Sequence, residues 1–333
     1  MYAAVINFPE KLNLAHLPTP IEKLEWLSKE LGLSVYMKRD DLTGSEVSGN
    51  KVRKLEFSLK EALTQNADVI ITCGGIQSNH CRAAAAICAK LHLSCCLLLK
   101  NEEENPHLEG NYFMDKLLGA EIRFVSFDDY KNRRNEIMQE IAKEYEHKGK
   151  KAYVIPEGAS NGIGTFGYLN CMREIEEQEK ELGIYFDTII DTVGSGGTFA
   201  GLYLSNLIFG KNRRFAGVNV SENSEFFQKR ISEICTETGK YLGLHIKFDP
   251  QRIEIIDGYV GRGYALSRPE ELEFLKVFAR QEGIILDPVY TGKCMYGFYN
   301  EAKKGRFKDA ENILFMHTGG IFGIFPKAEE FSL

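Results

Sequence analysis

The chain has 333 residues, 44% hydrophobic and 26% charged, with a net charge of -6. That length suffices for two domains with separate cores, and the composition excludes a disordered chain or a fibrous repeat. The acidic balance argues against nucleic acid as the main partner, and the apolar segments are too short and too interrupted by charge to span a bilayer.

In chain order, Met1 to Glu10 lacks the basic start and apolar run of a secretory signal, so a cytosolic protein is expected. Ser48-Gly49-Asn50-Lys51 opens a helix expected over Asn50 to Gln65, where Val52, Leu55, Leu59 and Leu63 share one face. Most lysines are solvated surface charges. Lys51 differs in its neighbours: Arg53 and Lys54 are expected to depress its pKa, and Asn50 to cap the helix. A lysine so depressed suits Schiff-base chemistry, and Lys54, one turn on, can reach an anion at the same place.

A strand over Val69 to Cys73 runs into Gly74-Gly75-Ile76-Gln77-Ser78-Asn79-His80. Ser78 at a helix start can meet a carboxylate beside free N–H groups, or serve only as the helix cap. No G-x-S-x-G elbow surrounds it, which removes a serine hydrolase, and His80 alone reads equally as a structural histidine. Further strands are expected at Cys96 to Leu99 and Ala152 to Ile155. The cysteines there, with Cys73, Cys88 and Cys95, sit in apolar runs without paired C-x-x-C spacing, so reduced thiols and no metal are expected.

Pro156 to Gly162 reads as a domain crossing. Gly162, Gly164 and Gly167 then form a literal G-x-G-x-x-G, the mark of a nicotinamide or flavin enzyme. Its distance from the preceding strand and its isolation make it a loop and helix start instead. The strand Thr188 to Ile190 leads to Gly194-Ser195-Gly196-Gly197-Thr198, a phosphate cup in which glycines bring backbone N–H groups close to an anion. It is neither a P-loop nor a dinucleotide fingerprint. A helix over Glu270 to Glu282 and a strand over Ile313 to Met316, ending in His317-Thr318-Gly319-Gly320, complete the series. Apolar strands alternating with helices predict an α/β protein with parallel sheets covered on both faces, and chemistry at the loops beyond their carboxyl ends.

Leu17-Pro18-Thr19-Pro20, Met37-Lys38-Arg39-Asp40-Asp41, Gly49-Asn50-Lys51, Gln77-Ser78-Asn79-His80, the Gly194 to Thr198 cup and Pro288-Val289-Tyr290-Thr291-Gly292-Lys293 together span nearly the whole chain. In combination they resemble the fold-type-II (tryptophan-synthase-β-like) pyridoxal-phosphate enzymes, in the branch of 1-aminocyclopropane-1-carboxylate deaminase and D-cysteine desulfhydrase. The resemblance implies a smaller α/β domain, 48–162, inserted into a larger cofactor-binding domain of 1–47 and 163–333, usually in a homodimer. It implies Lys51 as the cofactor-bearing lysine, the cup with Lys54 as the phosphate site, and Asn79 beside the pyridine ring. Ser78 would face the substrate carboxylate and α-carbon, with Gln77 and His80 flanking, and Tyr264 and Tyr290 would be the active-site tyrosines. Gly258 to Tyr264 resembles the family's glycine-tyrosine loop, while Ala265-Leu266-Ser267 departs from its usual continuation.

Two positions bear on substrate. The deaminases carry glutamate where this chain has Thr291 and leucine where it has Thr318; both threonines match the desulfhydrase pattern. A carboxylate at the pyridine nitrogen makes a deep electron sink, whereas a hydroxyl leaves the nitrogen largely neutral, enough for thiolate departure. Thr318 is the first choice for that contact. The expected reaction is D-cysteine to pyruvate, hydrogen sulfide and ammonia. Alternatives are the aminocyclopropane deaminase, a lyase of L-cysteate, β-chloroalanine or D-serine, and, outside the class, a nicotinamide oxidoreductase.

Overall fold

The structure, a computed structural model, describes residues 7–246 and 248–333; Met1 to Ile6 of the leader reading lie outside them. The strands are β1 (Ile21–Lys23), β2 (Ser34–Lys38), β3 (Val69–Gly75), β4 (Ser94–Lys100), β5 (Glu121–Val125), β6 (Ala152–Val154), β7 (Thr188–Val193), β8 (Arg214–Asn219), β9 (Glu254–Ile256) and β10 (Asn312–Met316). They form a six-stranded sheet, β1-β2-β10-β7-β8-β9, and a four-stranded sheet, β5-β4-β3-β6. All pairings are parallel except β1 with β2. The expected α/β class with two mainly parallel sheets flanked by helices is the observed fold. The smaller sheet comes wholly from residues inside 48–162, and the larger one draws on both flanking segments.

Both faces of each sheet are buried, so successive residues of one strand enter different cores. In β7, Ile189 and Val193 join one cluster with Phe186 and Phe199, while Ile190 joins another with Phe278 and Phe298. In β3, Ile70 packs with Leu97 and Leu99, and Val69 and Ile71 with Leu98 and Tyr145. Each such side chain contributes about 1.5–3 kcal/mol on leaving water.

The helices are α1 (Glu25–Leu31), α2 (Lys51–Thr64), α3 (Asn79–Lys90), α4 (Gly110–Leu117), α5 (Phe127–His147), α6 (Phe166–Leu182), α7 (Gly197–Phe209), α8 (Ser224–Tyr241), α9 (Pro269–Glu282) and α10 (Thr291–Lys303). α2 is the joint between the two cores. Its Val52, Leu55 and Leu59 enter the smaller core, while Phe57 crosses to the larger. Gly167 lets α6 lie on α2: a Cβ there would stand 2.5 Å from the Arg53 carbonyl. That contact explains the last glycine of the G-x-G-x-x-G pattern without a nucleotide.

The joint is pinned by a buried ionic cluster. Arg53 donates to both oxygens of Asp40 at 2.8 Å and to Glu174 at 2.8 and 2.9 Å; Tyr168 and Thr19 also donate to Asp40. Burial alone would raise Asp40, but Arg53 opposite holds its carboxyl below the usual range. Removing one partner of such a buried pair costs about 3–5 kcal/mol.

Candidate functional site

The carboxyl ends of β3 and β7 face each other across a cleft. Of the expected residues it is lined by Asn50, Lys51, Ser78, Asn79, His80, Gly194, Ser195, Gly196, Thr198, Tyr264, Tyr290 and Thr318. Gly75, Glu157, Gly158, Thr192 and Gly319 line it too and were not foreseen. A wider vestibule adjoins it and shares Gly75, Asn79, Tyr264 and Tyr290.

The inner end is the turn from β7 into α7. Gly196 takes a left-handed conformation at φ 86°, which glycine alone adopts without strain, and so turns the chain into the helix. Gly197 cannot carry a side chain, because a Cβ would meet Ser160 Oγ at 2.6 Å and its Cα at 2.8 Å. Ser160 accepts from the Gly197 amide at 3.2 Å, shares a hydrogen bond with Ser195 Oγ at 2.8 Å, and accepts from Lys54 Nζ at 3.3 Å. Among the described residues the amides of Ser195, Gly196 and Thr198 have no acceptor. Helix-start N–H groups of this kind, aimed into a cavity, bind an anion. Lys54 is fully buried behind the cup and off the cavity wall, so it reaches this end through Ser160 rather than as the lining cation expected.

Lys51 is the first residue of α2 and opens on the cavity. Its amine is pushed down to about 8, chiefly by burial, against the opposing pull of Asp191 and Glu157. The expected causes, Arg53 and Lys54, do not supply the shift: Arg53 turns away to Asp40 and Glu174, the contact with Lys54 acts in the opposite direction, and burial lowers the amine. Asn50 is corrected also. It makes no side-chain cap; its amide nitrogen donates across the cleft to Thr198 Oγ1 at 2.9 Å, while its backbone N–H donates to Thr318 O at 3.1 Å. Burial pushes Asp191 up to about 8, and neither of its oxygens has a partner among the described residues.

On the facing wall, Ser78 caps α3, its Oγ accepting from the Cys81 amide at 3.2 Å, and the hydroxyl proton stays free for the cavity. Asn79 is oriented from behind: its Oδ1 accepts from Arg82 at 3.3 Å and Asn111 at 3.1 Å, which turns its NH2 away from them. His80 is buried, and Thr72 donates to Ile155 O at 2.8 Å, so the Thr72 oxygen accepts from His80 Nε2 at 2.8 Å. Burial, with Lys51 and Lys54 nearby, holds its imidazole well below the ordinary pKa and therefore neutral. Gln77 lines the vestibule instead of the inner cavity. Its amide joins Glu109 O and the Asn111 N–H, so its expected substrate contact is not formed in the cleft.

The mouth is closed by Tyr264 and Tyr290, whose hydroxyls are hydrogen-bonded and whose rings meet edge to face at 5.9 Å. Lys293, foreseen only as the end of a motif, donates to the carbonyls of Val260, Gly263 and Leu266 and so holds the loop that carries Tyr264. Asp287 accepts from the amides of Val289, Tyr290 and Thr291 and fixes Tyr290 at the start of α10. Thr291 is fully buried, with its hydroxyl donating to Asp287 at 2.7 Å and accepting from the Asp287 amide at 3.0 Å. It therefore does not reach the cavity, contrary to its expected cofactor contact, whereas Thr318 stands on the wall.

The donor set thus presents an anion cup, a buried amine of lowered basicity, an oriented amide and an uncharged hydroxyl around one space. The family model described as "Pyridoxal-phosphate dependent enzyme" matches residues 12–319. A "Putative 1-aminocyclopropane-1-carboxylate deaminase" of Pyrococcus abyssi is 41% identical over 98% of this chain and 96% of its own length. The "Bifunctional D-cysteine desulfhydrase/1-aminocyclopropane-1-carboxylate deaminase, mitochondrial" of Arabidopsis thaliana is 41% identical over 96% of this chain and 80% of its own. A solved structure titled as that of an ACC deaminase homologue superposes with TM-score 0.88 at 39% identity, covering 97% of this chain and 95% of that one.

Proposed function

The chain belongs to the pyridoxal-phosphate dependent enzymes, in the family of 1-aminocyclopropane-1-carboxylate deaminase and D-cysteine desulfhydrase, and from that premise we propose that it eliminates the thiol of D-cysteine to give pyruvate, hydrogen sulfide and ammonia. Pyridoxal phosphate is its cofactor; when bound, it withdraws electrons from the substrate α-carbon so that the α-proton can leave. The residues present fit that group: free amides at the cup for its phosphate, Lys51 for its carbonyl, the Asn79 NH2 and the Thr318 hydroxyl for its ring.

The protein's part is holding and proton transfer. The Ser78 hydroxyl and the first amides of α3 hold the substrate carboxylate. Lys51, with its amine near pKa 8, takes the α-proton at Nζ near neutral pH. The Tyr290 and Tyr264 hydroxyls, which burial keeps protonated, stand at the mouth to donate to the departing sulfur.

The observation carrying the choice of D-cysteine is Thr318: a hydroxyl stands on the wall before Gly319-Gly320 where the deaminase pattern has leucine, and Thr291, where that pattern has glutamate, is locked on Asp287. The name of the Pyrococcus relative favours the deaminase as second reading. Sulfide and pyruvate released from D-cysteine, measured beside 2-oxobutyrate from aminocyclopropane carboxylate, test the proposal; 2-oxobutyrate alone would reverse it. The inserted domain at 48–162, a homodimer and a cytosolic location belong to the same proposal. All eight cysteines are buried and free of disulfides, which supports a reducing compartment. Among the described residues no helix is long and apolar enough to cross a membrane.

A further inference from the structure

β4 ends at Lys100, opposite Gly75 in the parallel register of the smaller sheet. Gly75 lies on the cavity rim, and the lysine stem passes close over it: a Cβ there would stand 3.3 Å from Lys100 Cε. The ammonium is thereby carried to the mouth, 4.5 Å from the ring centroid of Tyr264, 5.3 Å from that of Tyr130 and 6.0 Å from that of Phe127.

Among the described residues no carboxylate comes within ion-pair distance of it, whereas the other vestibule lysine, Lys327, is paired with Glu330 at 2.6 Å. Aromatic faces hold a cation without neutralising it. Lys100 therefore stands without a paired carboxylate where the vestibule meets the cavity, inside a rim bearing Glu103 and Glu109; burial lowers its basicity, and Glu157 on the cavity wall opposes that shift. The cup and the α3 start already account for an anion and a carboxylate deeper in. What remains for the mouth is the substituent on the substrate β-carbon.

We propose that Lys100 is a specificity-determining residue that receives the β-substituent of the amino acid and favours one that carries, or departs with, negative charge, such as a thiolate or another small anionic group. The inference rests on the β-elimination reading above. In that reaction the α-proton goes to Lys51, its electron pair forms the Cα=Cβ bond, and the Cβ–S pair leaves with sulfur as hydrosulfide. Charge grows on the atom nearest the mouth, where the ammonium opposes it.

The test uses holoenzyme with Lys100→Met, whose thioether still packs among the rings, and Lys100→Arg, which keeps the charge. Dissociation constants for D-aspartate and D-alanine, two amino acids without a leaving group at the β-carbon, are read from the change in cofactor absorbance. Steady-state kcat/KM is measured for D-cysteine and D-serine. The expected result is roughly fivefold or greater weakening of D-aspartate in Lys100→Met with D-alanine unchanged, rescued by Lys100→Arg, and a larger fall for D-cysteine than for D-serine. Equal losses for both ligands, or none, overturn the inference while wild-type sulfide release leaves the lyase reading standing. A wild type that binds no amino acid and releases no sulfide overturns both.

Discussion

The two ends of the cavity are made of different materials. The inner end is backbone: the β7–α7 turn, its amides, and glycines whose missing side chains make the space. The mouth is side chain: Tyr264, on a loop that Lys293 holds, Tyr290, which Asp287 fixes at the start of α10, and Lys100, which lies over the Tyr264 ring. An anion common to every substrate cycle needs a fixed cradle, and backbone supplies it at no side-chain entropy. Discrimination between β-substituents needs groups that can differ between relatives, and side chains supply those.

If this division holds, changes on the α3 wall, which faces the reacting carbon, have the largest effect. Ser78→Ala is expected to bind cofactor normally yet lose roughly 100-fold in turnover, because the substrate carboxylate it holds is misplaced against the reacting groups. It also removes the α3 cap, worth about 1 kcal/mol of stability. Thermal unfolding separates the two effects, and turnover near wild type would leave Ser78 as a cap only.

The inner end comes next. Gly197→Ala drives a methyl into Ser160 and is expected to cost about 1–3 kcal/mol through overpacking, weakening cofactor binding about tenfold or more. Fluorescence titration of apoenzyme with cofactor checks it; unchanged affinity would mean the cup is not the phosphate site. The same end gives a pH dependence. The Lys51 amine attacks a carbonyl only when deprotonated, so reloading of apoenzyme should speed up as pH rises and level off above about 8. A rate still climbing toward 10.5 would deny the burial of that amine.

The smallest change is expected at the mouth. Lys293→Met releases three carbonyls of the loop that carries Tyr264 and should raise KM a few-fold with kcat nearly kept, since Tyr290, fixed by Asp287, still stands to donate to the departing sulfur. An equal fall in kcat would show that the departing sulfur needs the Tyr264 hydroxyl as well as that of Tyr290.

The same division decided what could be read from sequence. The cup, the α/β alternation and the Lys51 helix were legible because each is a local pattern: a glycine run after a strand, or apolar residues on one helical face. Lys293 was not, because its hydrogen bonds reach carbonyls of a distant loop whose position only the fold decides; Asp287 bonds the amides of Val289, Tyr290 and Thr291, a local turn at a helix start to which the sequence reading gave no role. Sequence preferred Thr318 over Thr291 for the ring contact without a geometric reason; one helix start turns Thr291 onto Asp287, and a strand end brings Thr318 to the wall. Asn50 has the composition of a cap, but tertiary contact with Thr198 won its amide. Burial of Lys51, the real cause of its lowered basicity, is a property of the assembled joint between two cores.

The central claim is that this cavity holds pyridoxal phosphate through Lys51, not through Lys54 one turn further along the same helix. Borohydride reduction of the yellow holoenzyme followed by peptide mass mapping tests it directly. The expected outcome is a single cofactor-modified lysine, Lys51, with loss of the visible band. Modification of Lys54, or a band that survives reduction with no modified lysine, would contradict it.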